Sequence, residues 1–283
     1  MSVPRATSAV RAVRRLARRW LPRRLRAEAL RLRRALRDRR GGVPFADGRG
    51  SHGDFPYAFE GYRLPMLIYP GQEHLAEGKR HNQRLMAEAL DGARVEPGEV
   101  LSLWRRVGRP SAEGGYLDGA AIVGGQLTAE AGGGTCLLST VLYNAGLLAA
   151  LEVVERHAHS VDVYGEARYF EPGRDATIEY GVLDLRFRNP HAWPVLLEIS
   201  SDGTGVHAVF RAPRSDLPAV AIKVEQPEQT TGLLVARTLR EVTLRGLDSR
   251  VEDLGWSRYG IADGSPRGAP GGSQAAALGV SRD

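Results

Sequence analysis

An α+β domain with a buried central helix packed on an antiparallel sheet is the fold class this sequence predicts, on three observations. The run from Cys136 to Leu151 is apolar on most faces, as a helix surrounded by protein must be. After it come short alternating segments separated by the turn pairs Pro172-Gly173, Asn189-Pro190 and Asp202-Gly203, the pattern of antiparallel strands. Finally, 283 residues are enough for one or two domains with a sizeable core, and no internal repeat points elsewhere.

The chain opens with an arginine-rich arm, residues 1–40. Fifteen Arg against Glu28 and Asp38 give the arm a charge of +13, so the whole-chain charge of +6 leaves −7 for residues 41–283. The basic character belongs to the arm alone. The spacing predicts two short helices broken at Pro22, one with Val10, Val13, Ala17 and Trp20 on a stripe, the other with Leu25, Ala29, Leu32 and Leu36. A narrow apolar stripe in a dense Arg face suits an anionic membrane surface; docking on the protein's own body is the rival, with nucleic acid third. No stretch near the start has the apolar core of about 7–15 residues of an export signal. No run of about 18 apolar residues spans a membrane. A cytoplasmic protein, peripheral at the inner membrane face, is therefore expected, and the single cysteine fits a reducing compartment.

Gly41, Gly42, Pro44, Gly48, Gly50, Gly53 and Pro56 make residues 41–56 a linker, so the folded domain is expected over 57–254. Within it, Asn82 to Leu90 reads as a helix ending at Asp91-Gly92. Pro97-Gly98 turns into a strand from Glu99 to Trp104, and a hairpin closes around Gly124-Gly125. The central helix covers about 135–150. Strands are expected through Val163, from Ala176 to Gly181, from Leu183 to Asn189, from Pro194 to Ser200 and from Val206 to Arg211. From 255 to 283, Gly, Ser, Pro and Ala dominate and disorder is expected.

The chemistry is expected at Gly132-Gly133-Gly134-Thr135-Cys136. A helix N-terminus offers free N–H groups and a positive dipole end, which stabilise a thiolate and can hold an oxyanion. His159, 23 residues on, can serve as general base, and Asp175, 16 further, can orient its ring. Cysteine on a helix followed by His and Asp on antiparallel strands is the layout of papain-like and transglutaminase-like thiol enzymes. The bland readings stand beside this one: a lone buried cysteine is usually a small hydrophobe, and glycine triplets also serve close packing. Zinc lacks a second cysteine and a familiar spacing, phosphate at the glycines lacks the Lys of a P-loop, and no cofactor is expected.

Over roughly residues 75–200 a series of motifs runs in order: Asn82-x-Arg84-Leu85, Pro97-Gly98-Glu99, Gly115-Tyr116, Gly132-Gly133-Gly134-x-Cys136, Leu142-Tyr143-Asn144-Ala145, Glu155-Arg156-x-x-His159-Ser160, Gly173-x-Asp175-Ala176-Thr177 and Asp184-Leu185-x-Phe187-Arg188-Asn189. On these motifs the sequence resembles the VanW family, the accessory vancomycin-resistance family of B-type gene clusters. Family members usually carry Gln after the cysteine, where this chain has Leu137. The resemblance implies a role in cell-wall precursor metabolism or glycopeptide resistance, and names no reaction. Two expectations follow. One is a thiol acyltransferase or hydrolase using Cys136, His159 and Asp175. The other is a non-catalytic binding or scaffold protein, in which Gly132, Gly133, Gly134, Thr135, Arg156, Ser160 and Arg174 line a pocket for an anionic or peptide ligand.

Overall fold

The computed structural model describes residues 23–123, 126–225, 230, 232–244 and 248–261. The first expected arm helix, the turn at Gly124-Gly125 and the chain from 262 on lie outside the described residues. The fold is α+β. Strands β1 (Tyr57–Ala58), β2 (Tyr62–Pro65), β3 (Arg94–Val95), β10 (Val195–Ser201) and β11 (Gly205–Ala212) form an antiparallel sheet. Its centre is the β10–β11 pair, in register from Leu196 opposite Arg211 to Ser201 opposite Val206. Helices α2 (Ala76–Leu90) and α4 (Cys136–Leu148) pack on it. Met86 and Leu90 of α2 and Leu138, Val141, Leu142 and Leu147 of α4 are fully buried against Val195, Leu197 and Phe210. Each such Leu contributes roughly 2 kcal/mol of transfer free energy.

Around this core sit a hairpin, β5 (Asp118–Val123) with β6 (Gln126–Ala131), and a small sheet in which β9 (Arg186–Arg188) lies between β4 (Val100–Ser102) and β7 (Glu152–Glu155). The fourth sheet joins β12 (Ala219–Glu225), β13 (Leu233–Thr243) and β14 (Ser249–Ile261), and β14 pairs in parallel with β8 (Val161–Asp162).

Several elements differ from the expectation, each for a local reason. The strand from Glu99 stops at Ser102, whose hydroxyl caps the short helix α3 (Leu103–Val107) by accepting from Arg105 N–H. No strand forms from Ala176 to Gly181; only Glu179 and Leu183 pair across a turn. The backbone of 174–176 is bonded instead to side chains of α4. The segment 41–56 is not free of the body: Ala46 and Phe55 are buried and Phe45 pairs with Val100. Glycine and proline there interrupt regular structure without preventing packing. Past residue 254, β14 continues to Ile261 with Ser257 and Tyr259 buried and Trp256 exposed.

In the arm, α1 (Arg23–Arg40) is the second expected helix. It touches the body through charge rather than through its apolar stripe. Arg34 pairs with Glu155 and donates to the Val182 carbonyl at 2.5 Å, and Asp38 pairs with Arg186 at 2.9 Å. Leu32 and Leu36, on the far side of the helix, are exposed.

Candidate functional site

Cys136 is the first residue of α4 and is half-buried, with Thr135 before it. The approach to the helix is built by glycine. Gly132 and Gly134 have φ of +83° and +84°, a region that favours glycine. A methyl group on Gly133 would lie 2.1 Å from the Gly119 carbonyl oxygen, so hairpin and loop meet backbone to backbone. Helix α2 fixes the loop from the other side. Asn82 bridges both with bonds to Leu117 and to the Gly133 carbonyl at 3.1 Å, and Gln83 donates to the Gly134 carbonyl at 2.9 Å. The Thr135 hydroxyl donates to the Gly132 carbonyl.

Asp175 is held to the same helix. Buried Ser139, Thr140 and Asn144 of α4 take up the backbone that a strand would have satisfied. Ser139 donates to the Ala176 carbonyl at 2.6 Å, Thr140 accepts from Ala176 N–H and Asn144 donates to the Arg174 carbonyl at 2.8 Å. The fully buried Asp175 carboxylate then accepts four bonds. One oxygen takes the His159 backbone N–H at 2.8 Å and His159 Nδ1 at 2.6 Å; the other takes Arg156 at 2.8 Å and the Tyr259 hydroxyl at 2.5 Å. His159 sits in irregular chain just before β8, stacked on Phe170 with ring centres 5.2 Å apart. With Nδ1 on the carboxylate, Nε2 is the nitrogen available to the thiol.

The electrostatics couple the three groups. Burial pushes the Cys136 thiol up, but the hydrogen bond and charge of His159, with Ile178 N–H and the Thr177 hydroxyl, bring it below its ordinary value. Burial pushes His159 down, and the bonds to Asp175 and Cys136 outweigh this and carry it up to about 10. Asp175 is likewise raised by burial and brought below the usual carboxylate range by His159 and Arg156. A thiolate–imidazolium pair beside an ionised carboxylate is the state these groups favour together.

The other candidate residues take different places. Arg156 is committed to Asp175 and Ser257 and lies over the Tyr143 ring, so it balances the carboxylate. Arg174 donates to Asn144 and lies over Tyr62, Ser160 is exposed, and His157 turns away to Glu155 at 3.0 Å. Four residues escaped sequence reasoning: Lys79, Thr177, Tyr169 and Tyr259. Lys79 falls seven residues before Met86 on the buried stripe of α2, where a cation is anomalous. Tyr259 follows the in–out alternation of β14.

By fold and site, then, the molecule is an α+β protein with a buried thiol–imidazole–carboxylate array anchored on one helix. Residues 78–210, just under half of the chain, match the family model described as VanW like protein. It is 38% identical over 114 residues to the vancomycin B-type resistance protein VanW of Enterococcus faecalis, covering 40% of this chain and 42% of that protein. It is 37% identical over 127 residues to the uncharacterized protein YoaR of Bacillus subtilis, covering 45% of this chain and 41% of that one. The chain thus spans about two fifths of the length of the curated relatives it matches. No solved structure matches it.

Proposed function

We propose that the protein is a thiol acyltransferase or hydrolase acting on a cell-wall precursor or a related peptide. The observation that carries this reading is the 2.6 Å bond between His159 and the buried Asp175, on the far side of an imidazole that shares its charge with Cys136. The Cys136 thiolate attacks an acyl carbon, and a C–S bond forms as the bond to the leaving group breaks. Imidazolium gives its Nε2 proton to that group. Water or an amine then takes the acyl group from sulfur, returning a proton to His159, while Asp175 holds the ring in one tautomer throughout. The printed name of the Enterococcus relative ties that protein to vancomycin resistance, and the cell-wall context is what the family resemblance implies. The cytoplasmic membrane face is part of the same proposal and rests on the exposed Leu32 and Leu36 of α1 among arginines.

The test is the pH dependence of Cys136 alkylation by iodoacetamide, in the wild type and in His159→Ala. The expected wild-type rate reaches its plateau well below pH 8, and the variant's midpoint moves up by roughly 2 units or more. A thiol inert across the range in the wild type overturns the reading and leaves a non-catalytic binding or scaffold protein.

A further inference from the structure

Among the described residues, Lys79 is a charged group near the thiol that the array does not use. The residue is 8% exposed, and its stem lies on the glycine loop, where a methyl group on Gly134 would come within 2.5 Å of it. Asn82 and Gln83, on the next turn of α2, clamp the carbonyls of that loop, so the lysine and the start of α4 are held in one rigid frame. The ammonium donates to the Leu67 carbonyl at 2.7 Å and, among the described residues, forms no ion pair.

A count of charges shows what is missing. Arg156 balances Asp175, and imidazolium balances the thiolate. At the rim, Asp162 and Arg168 balance each other at 2.8 Å. Lys79 is left over, a buried cation whose burial pulls it down to about 8 while the Cys136 sulfur pulls the other way. When an acyl group neutralises the sulfur, the imbalance grows. Aromatic rings cover the approach: Tyr69 and Tyr164 stack at 4.5 Å, and Tyr164 meets Tyr169 at 5.8 Å. Water screens a charge poorly in such surroundings, so an anion placed there is held strongly.

We infer that Lys79 is the anion-binding residue of this site, and that the substrate is an acyl compound carrying a carboxylate near the carbonyl that Cys136 attacks, as a short peptide with a free C-terminus does. This rests on the thiol reading above and names its substrate class. The carboxylate accepts from the two ammonium protons that Leu67 leaves unused, which sets the acyl carbon against the sulfur.

Two alkylating reagents of nearly the same size test it, since iodoacetate carries a carboxylate beside the attacked carbon and iodoacetamide carries a neutral amide. The ratio of their rates at Cys136 is measured at pH 7 in the full chain, for the wild type, Lys79→Met and Lys79→Arg. The ratio cancels any change in thiolate fraction. The expected result is a fall of about tenfold in the iodoacetate-to-iodoacetamide ratio for Lys79→Met and near-wild-type behaviour for Lys79→Arg. In the wild type, an N-acetylated dipeptide acid is expected to protect Cys136 from iodoacetamide better than its C-terminal amide. An unchanged ratio in Lys79→Met with a reactive thiol overturns the role of Lys79 alone. Equal protection by acid and amide overturns the substrate class, and this arm needs no variant to fold. A wild-type thiol inert to both reagents overturns this inference together with the thiol reading.

Discussion

Asp175 accepts four hydrogen bonds, from His159 twice, from Arg156 and from Tyr259, with its side chain fully buried. Its pKa is lower folded than unfolded, so the stabilisation it gives is present above the ordinary carboxylate value and lost as pH falls through the depressed one. Asp175→Asn keeps the shape but presents an N–H₂ where donors converge and leaves Arg156 buried without its partner. At pH 7 the variant should be less stable by about 3 kcal/mol, measured by urea unfolding. The difference should shrink as pH falls below about 4, because only the wild type loses its charge there. The array's members were legible in the sequence because glycine, cysteine, histidine and aspartate have few reasons to stand in that order. Lys79 and Tyr259 were not, since a lysine in a helix and a tyrosine in a glycine-rich stretch each have an ordinary explanation.

At the scale of elements, the helix α4 was readable from its apolar run, yet its polar residues decide where the chemistry sits. Ser139, Thr140 and Asn144 replace a strand ladder for residues 174–176. Sequence alternation implied strands at Ala176 and at His159, whereas the backbone of 174–176 is satisfied by side chains of α4 and the His159 N–H by the Asp175 carboxylate, an exchange that periodicity cannot register. The contact of Gly119 with Gly133 is equally hidden, because it depends on how the loop after the hairpin folds back on the hairpin's first strand, which residue spacing does not record. Neither backbone can give way, so Gly133→Ala and Gly119→Ala should each cost roughly 3 kcal/mol or more in chemical unfolding. Gly98→Ala, with nothing within 4 Å of the added carbon, is strained only by its φ of +80° and should cost about 1 kcal/mol. Equal losses at all three positions would sink the close-approach argument.

Taken whole, the molecule separates its charge: an arm of +13 on a body of −7. Composition made that separation plain but did not show which face of α1 meets the body. The contacts are Arg34 with Glu155 and Asp38 with Arg186, which leaves Leu32 and Leu36 outward. Docking on the body uses one side of the helix and leaves the other for the proposed bilayer contact, its rival in the sequence. Leu32→Ser with Leu36→Ser should therefore weaken binding of the full chain to phosphatidylserine-containing vesicles about tenfold and leave its thermal stability unchanged. Undiminished binding in a co-sedimentation assay would count against the helix as the lipid contact.

The strand β14 reaches Asp175 from the far end of the described chain, through Tyr259, and pairs with β8 directly after His159. On a ribosome, cysteine, histidine and aspartate all emerge before that strand is made. A nascent chain therefore displays the sulfur without the hydroxyl that fixes its distant carboxylate, and without Ser257 to seat Arg156. Translation order leaves the array to be completed late: Asp175 gains its Tyr259 bond and Arg156 its Ser257 bond only after β14 has left the tunnel.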